Sequence, residues 1–154
     1  MDCVLIIRPF EAKLTQTTDF FFKMNPYCQF KIGQEKTRSQ AHKKGGKAPQ
    51  WTNTLNLMRD TNEDLLTISV KDQNLLSRNR VIGKGVLNLK DIPTFIPTSQ
   101  WVPLFSKGKP IGDLLVEVTV APNHVIETNR KGSNSVSKVL SSKFSFNTAD
   151  TDHL

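Results

Sequence analysis

Lys31, Lys36, Arg38, Lys43, Lys44 and Lys47 fall within 17 residues, against a single acid, Glu35. Cations at this density bind anions; they do not make a catalytic set. They suit acidic lipid, nucleic acid or an acidic protein face, and equally a solvated strand edge that resists aggregation. A second group is apolar. Phe20, Phe21 and Phe22 stand beside Lys23, and Leu75 and Leu76 stand close to Arg78 and Arg80. Aromatic and leucine side chains flanked by cations suit entry into an anionic interface or contact with a protein; one or two of the phenylalanines could instead pack beneath their own loop. The groups that usually run catalysis are scattered. His42, His124 and His153 lie in polar stretches, and no serine or cysteine has the setting of a nucleophile elbow. Gly45-Gly46-Lys47 lacks the spacing of a phosphate-binding loop. The basic stretch carries no interleaved aromatics and no reader motif, which disfavours nucleic acid. The expectation is a non-catalytic binding protein with no small-molecule substrate and no cofactor.

Bulk properties narrow the class. A chain of 154 residues suits one domain with a real core. A hydrophobic fraction of 37% is low for a chain folded end to end. The net charge is +7, and the excess belongs to residues 1–121, which hold 17 basic and 11 acidic side chains. No apolar run approaches the roughly 20 residues of a membrane-spanning helix, and no signal-peptide pattern precedes Cys3. An intracellular address is expected, cytoplasmic or peripheral to a membrane or large assembly. Cys3 and Cys28 then serve as small buried apolar side chains with inert thiols; a disulfide between them or a reactive thiol is the alternative. No C-x-x-C pair offers a metal site.

The elements that must position these residues are strands. Val4–Ile7 reads as a buried strand stopped near Pro9, and Tyr27–Ile32 as a second, ended by Gly33. Lys36–Ala41 has strand length and an edge character. Trp51, Asn53, Leu55 and Leu57 alternate at period 2, as do Leu66, Ile68 and Val70, with Thr67, Ser69 and Lys71 opposite. Val81–Leu89 contains glycines at 83 and 85, Gln100–Leu104 is short, and Leu114, Val116, Val118 and Val120 share one face. About eight short strands without an amphipathic helix predict an all-β, eight-stranded antiparallel sandwich. The His42–Lys47 segment is expected to be a mobile loop. Residues 122–154 are polar and aperiodic, a C-terminal tail expected to be irregular and disordered unless bound to a partner. Its apolar spots, Val139, Leu140, Phe144 and Phe146, could be a short docking motif or part of an idle tail.

Five strings carry a resemblance: Asn25-Pro26-Tyr27, Pro49-Gln50-Trp51, Asp72-Gln73-Asn74, Val81-Ile82-Gly83 and Trp101-Val102-Pro103-Leu104, with Gly112-Asp113-Leu114 after them. Their order and spacing resemble the C2 domain family over roughly residues 1–121, in the permuted topology with the last strand at the C-terminal end. The resemblance implies a β-sandwich, often membrane-docking, with calcium held by carboxylates of loops one and three. The five acidic positions of that pattern fall on Asp19, Asn25, Asp72, Asn74 and Arg80. Two carboxylates remain, two positions are amides and one is a fixed cation. Calcium wants six to eight oxygens, several of them anionic, so a degraded site with no metal is expected, with Arg80 able to bridge Asp19 and Asp72. The resemblance also implies that Phe20–Phe22 and Leu75–Leu76 are neighbouring loop tips and that Lys31–Lys47 form a basic face.

The leading expectation is a calcium-independent docking module, an accessory subunit that binds protein partners through loop tips and tail. A peripheral module for anionic membrane is the alternative, and calcium-dependent phospholipid binding a weaker one.

Overall fold

The computed structural model describes residues 3–15, 24–59, 62–74 and 78–122. Eight strands follow in order among them: β1 (Cys3–Leu14), β2 (Pro26–Ile32), β3 (Glu35–Arg38), β4 (Leu55–Arg59), β5 (Leu65–Asp72), β6 (Arg80–Asn88), β7 (Thr98–Ser106) and β8 (Lys109–Pro122). A 3-10 turn, Leu89–Asp91, follows β6, capped by the Asn88 side chain accepting the Lys90 N–H. The strands hydrogen-bond in the order β3-β2-β5-β6-β7-β8-β1-β4, all antiparallel. β6 and β7 share one residue pair, Lys84 opposite Phe105. There the sheet folds over into two four-stranded layers, and the expected all-β sandwich results.

Alternation builds the core. Cys28, Phe30 and Ile32 of β2, Leu66, Ile68 and Val70 of β5, and Leu5 and Ile7 of β1 turn inward onto Leu114, Val116 and Val118 of β8. Each such burial removes apolar surface from water, worth about 1.5–3 kcal/mol per large side chain.

Several boundaries differ from the sequence reading. β1 does not stop at Pro9 but runs to Leu14: the register shifts directly after Pro9, with Phe10 as the extra residue, so the proline without a donor sits at a bulge. Opposite that bulge, Trp51 is not in a strand. It reaches β1 through its N–H to the Phe10 carbonyl, with an isolated bridge at Glu11–Gln50, and β4 begins only at Leu55. β3 ends at Arg38 rather than Ala41, since the Ser39 hydroxyl takes the Cys28 N–H and closes the ladder with a side chain. β7 is longer than read, from Thr98 to Ser106.

Two glycines mark close approaches. A Cβ at Gly85 would stand 2.7 Å from the Pro103 carbonyl oxygen, at the seam between layers. Gly112 has φ 148° and faces Lys13, whose carbonyl oxygen any Cβ would overlap. The expected cost of Gly112→Ala is about 3 kcal/mol or more, read as a lower urea midpoint at unchanged m-value; a wild-type midpoint would show that β1 and β8 do not approach this closely.

Candidate functional site

The register gathers one end of the sandwich. Pro26 lies opposite Asp72 in β2–β5, and Asp72 opposite Arg80 in β5–β6. Asn25, Asp72 and Arg80, three of the five positions implied as calcium ligands, therefore meet at the same end, with Asn74 two residues beyond. Asp19, the loop-tip residues Phe20, Phe21, Phe22, Leu75 and Leu76, and the tail residues Val139, Leu140, Phe144 and Phe146 lie outside the described residues.

Several oxygens at this end accept backbone or side-chain N–H groups. Asp72 Oδ1 accepts the Asn25 N–H at 2.8 Å, and Asn25 Oδ1 accepts the Lys44 N–H at 2.8 Å. The Asn25 side-chain amide donates to the Gln73 carbonyl at 3.4 Å, and the Gln73 N–H returns to the Asn25 carbonyl at 3.0 Å. Beyond them, the Asn74 N–H donates to Asn79 Oδ1. One oxygen of Asp72 and the one oxygen of the Asn25 side chain are turned onto backbone donors, Arg80 is strand-paired with Asp72, and no group of three or more His, Cys, Asp or Glu side chains that could hold a metal occurs among the described residues.

The same bonds correct the expectation of a mobile His42–Lys47 loop. His42 donates its N–H to the Pro26 carbonyl, Gly46 donates to Met24, and Leu14 donates to Lys47. His42 Nδ1 accepts the Gln50 N–H at 2.9 Å. Lys43, Lys44 and Lys47 are exposed on this anchored loop.

The other half of the basic stretch lies elsewhere. Cross-strand partners share a face. Lys36 is opposite Lys31, and Arg38 opposite Gln29. Thr67, Ser69 and Lys71 of β5 stand opposite Lys31, Gln29 and Tyr27, and Lys84 of β6 opposite Ser69. Lys31, Lys36, Arg38, Lys71 and Lys84 thus share the outer face of the β3-β2-β5-β6 layer. Lys31, Lys71 and Lys84 line a shallow groove of about 540 Å³ to which Glu63 contributes the acid. Among the described residues, none of Lys31, Lys36, Lys71 and Lys84 enters an ion pair. Like charges placed directly opposite each other, as Lys31 and Lys36 are, destabilise a strand pair.

Tyr27 joins the two regions. It is 3% exposed. The Arg38 guanidinium lies 3.9 Å from its ring centroid, and its hydroxyl accepts from the Asn79 side chain at 2.9 Å. Lys71, Lys84 and this stack escaped the sequence reading. Lys71 was visible on the polar side of a period-2 strand, but pairing with β2 was needed to place it beside Lys31. Cys3 and Cys28 are buried free thiols; burial pushes the Cys28 thiol well up, and a weaker hydrogen bond from Ser39 opposes this.

Comparisons with known proteins agree with this architecture. A family model described as C2 domain matches residues 3–104. The ingression protein fic1 of Schizosaccharomyces pombe is 24% identical over 133 residues, spanning 86% of this chain and 49% of that protein. The multiple C2 domain and transmembrane region protein 2 of Arabidopsis thaliana is 27% identical over 97 residues, 62% of this chain and 9% of its own length. The chain thus spans half or less of these curated relatives. Among solved structures, a C2 domain of a plant extended synaptotagmin 1 superposes with a TM-score of 0.68 at 20% identity, covering 78% of this chain and 95% of that one.

Two outcomes follow from the geometry. Asn25→Ala removes the acceptor of the Lys44 N–H and should cost about 1–2 kcal/mol, with faster hydrogen exchange at the Lys44 amide; unchanged exchange there would refute the anchoring role. Cys28 should stay protonated and unreactive toward Ellman's reagent at pH 8 in the native protein, reacting only at the rate of unfolding.

Proposed function

The chain belongs to the C2 domain family, and we propose that it is a non-catalytic docking module that seats its folded body on anionic membrane without calcium. The observation that carries this reading is the outer face of β3-β2-β5-β6, which gathers five cations, Lys31, Lys71 and Lys84 in one groove and Lys36 and Arg38 on the edge strand beside it. Each lysine or arginine near an anionic bilayer contributes about 1 kcal/mol. Five together give useful attraction without any bound metal. The Asn25 bonds support calcium independence, because the loop ends are tied by backbone donors where a cation would otherwise gather them. The relative whose name includes a transmembrane region is consistent with work near a membrane.

A second reading is the accessory subunit held by protein contacts. Met58 is 47%, Phe95 48% and Ile96 56% exposed. They flank the end of β8, where Met58 pairs with Val4 and the Phe95 N–H donates to Val120. Phe95 holds φ 63°, unfavourable for a bulky residue. Residues 123–154, with Val139, Leu140, Phe144 and Phe146, continue from that end.

Liposome co-sedimentation separates these readings. The 154-residue protein should pellet with phosphatidylserine-containing vesicles but not neutral ones, equally in calcium or chelator, and less as salt rises. Lys31→Glu/Lys71→Glu should weaken partitioning at least about tenfold. Absence of pelleting under every condition would leave the protein-contact reading; a calcium requirement would overturn independence.

A further inference from the structure

The hairpin joining β7 and β8 carries a feature that the basic groove does not use. Val102 and Leu104 of β7 are buried, while Trp101 and Phe105 turn outward, 41% and 46% exposed. Lys13 of β1 places its ammonium 4.9 Å from the Trp101 ring centroid. The hairpin closes in two residues between Ser106 and Lys109. Both turn residues have positive φ, 50° at Lys107 and 76° at Gly108. A turn of this kind favours asparagine, aspartate or glycine at its first position. A lysine held there in left-handed backbone is a local cost that puts a cation at the outermost point of the hairpin.

The position matters. β7 ends and β8 begins at the end of the sandwich where β1 and β5 end and β2 and β6 begin. Phe105 is the strand partner of Lys84, which lines the basic groove. The aromatic row therefore continues the basic face across the seam onto the second layer. Around it stand Lys13, Lys84, Lys107 and Lys109, all exposed. The acids brought near by register are Asp113, opposite Pro103 and Lys13, and Glu11, opposite Leu115.

We propose that the β7–β8 hairpin is a second lipid-contact element, in which Trp101 and Phe105 enter the interfacial layer of an anionic bilayer and Lys13, Lys107 and Lys109 meet its headgroups. This rests on the membrane reading above and deepens it. Amphipathic rings beside lysine stems match the layered chemistry of a bilayer interface. The centre of a protein interface, by contrast, is depleted of lysine, and here four ammonium groups rim two rings.

The chain has two tryptophans. Trp51 is buried, with its indole N–H on the Pro26 carbonyl, so a change in emission on binding reports Trp101. The full chain is titrated with phosphatidylcholine/phosphatidylserine vesicles, with and without brominated acyl chains. Emission should shift to the blue and be quenched by brominated lipid, and both responses should vanish in Trp101→Phe. Trp101→Ser/Phe105→Ser should lower vesicle partitioning about tenfold or more, with circular dichroism and urea midpoint near wild type because both side chains are exposed. Vesicle binding with Trp101 neither shifted nor quenched would overturn the hairpin assignment and leave the basic groove standing. Failure to bind any vesicle would remove both. A blue shift that grows with protein concentration without vesicles, with dimers in sedimentation, would overturn the lipid assignment in favour of a second copy of this chain.

Discussion

Three consecutive carbonyls hold one end of this molecule together. Met24, Asn25 and Pro26 each accept an N–H from another segment: Gly46 on the first, Gln73 on the second, His42 and the Trp51 indole on the third. Extended backbone points successive carbonyls in different directions, so each can serve a different loop. Proline at the third position contributes an acceptor and no donor. Asn25 adds its side chain, which takes the Lys44 N–H and donates to Gln73, while its own N–H goes to Asp72. Leaving a buried or half-buried backbone group unmet costs about 1–3 kcal/mol; here the loop ends satisfy each other with neutral groups and one carboxylate. Under the proposed reading, this is why the site can dispense with an ion.

The next residue carries the order outward. Tyr27 is fixed in register by Lys71 across the strand pair. With its ring buried under the Arg38 guanidinium and its hydroxyl on Asn79, it couples the edge strand β3 to the third loop. A short, highly charged edge strand would fray on its own. The stack and the Ser39 closure onto Cys28 keep it in place, and so hold Lys36 and Arg38 on the same face as Lys31. The basic face thus depends on the knot at Asn25-Pro26-Tyr27, which its own Lys71 meets as the strand partner of Tyr27.

Much of this was legible in sequence. Strict alternation at Leu66–Val70 and Leu114–Val120 reported strands buried on one face, and the order of short strings reported the family. Period 2 says which residues share a side within a strand; it says nothing about which strand lies beside which. Lys31 to Lys47 therefore read as one basic face, whereas register sends Lys31, Lys36 and Arg38 to the sheet and Lys43, Lys44 and Lys47 to the loop end. The same gap hid Lys71 and Lys84, separated from Lys31 by 40 residues or more in the chain and one or two strands in space. Pro9 misled because a bulge can hide a missing donor, and Gly45-Gly46 because glycine-rich turns can be tied by backbone bonds that no composition reveals.

The seam at Lys84 and Phe105 gives the two proposed contacts their relation. Charge attraction acts across a Debye length of about 8 Å at physiological salt, so the groove can draw the module to a membrane before any contact forms. Burial of apolar surface acts only on contact and is far less sensitive to salt. A protein relying on the first alone would be released by modest ionic strength; one relying on the second alone would also bind uncharged surfaces. Placing an aromatic row one strand away from the cationic groove couples the two: charge selects the surface, and the rings then hold it. Because β6 and β7 meet at a single residue pair, the outer faces diverge from that line, and only a surface that reaches over the seam engages both.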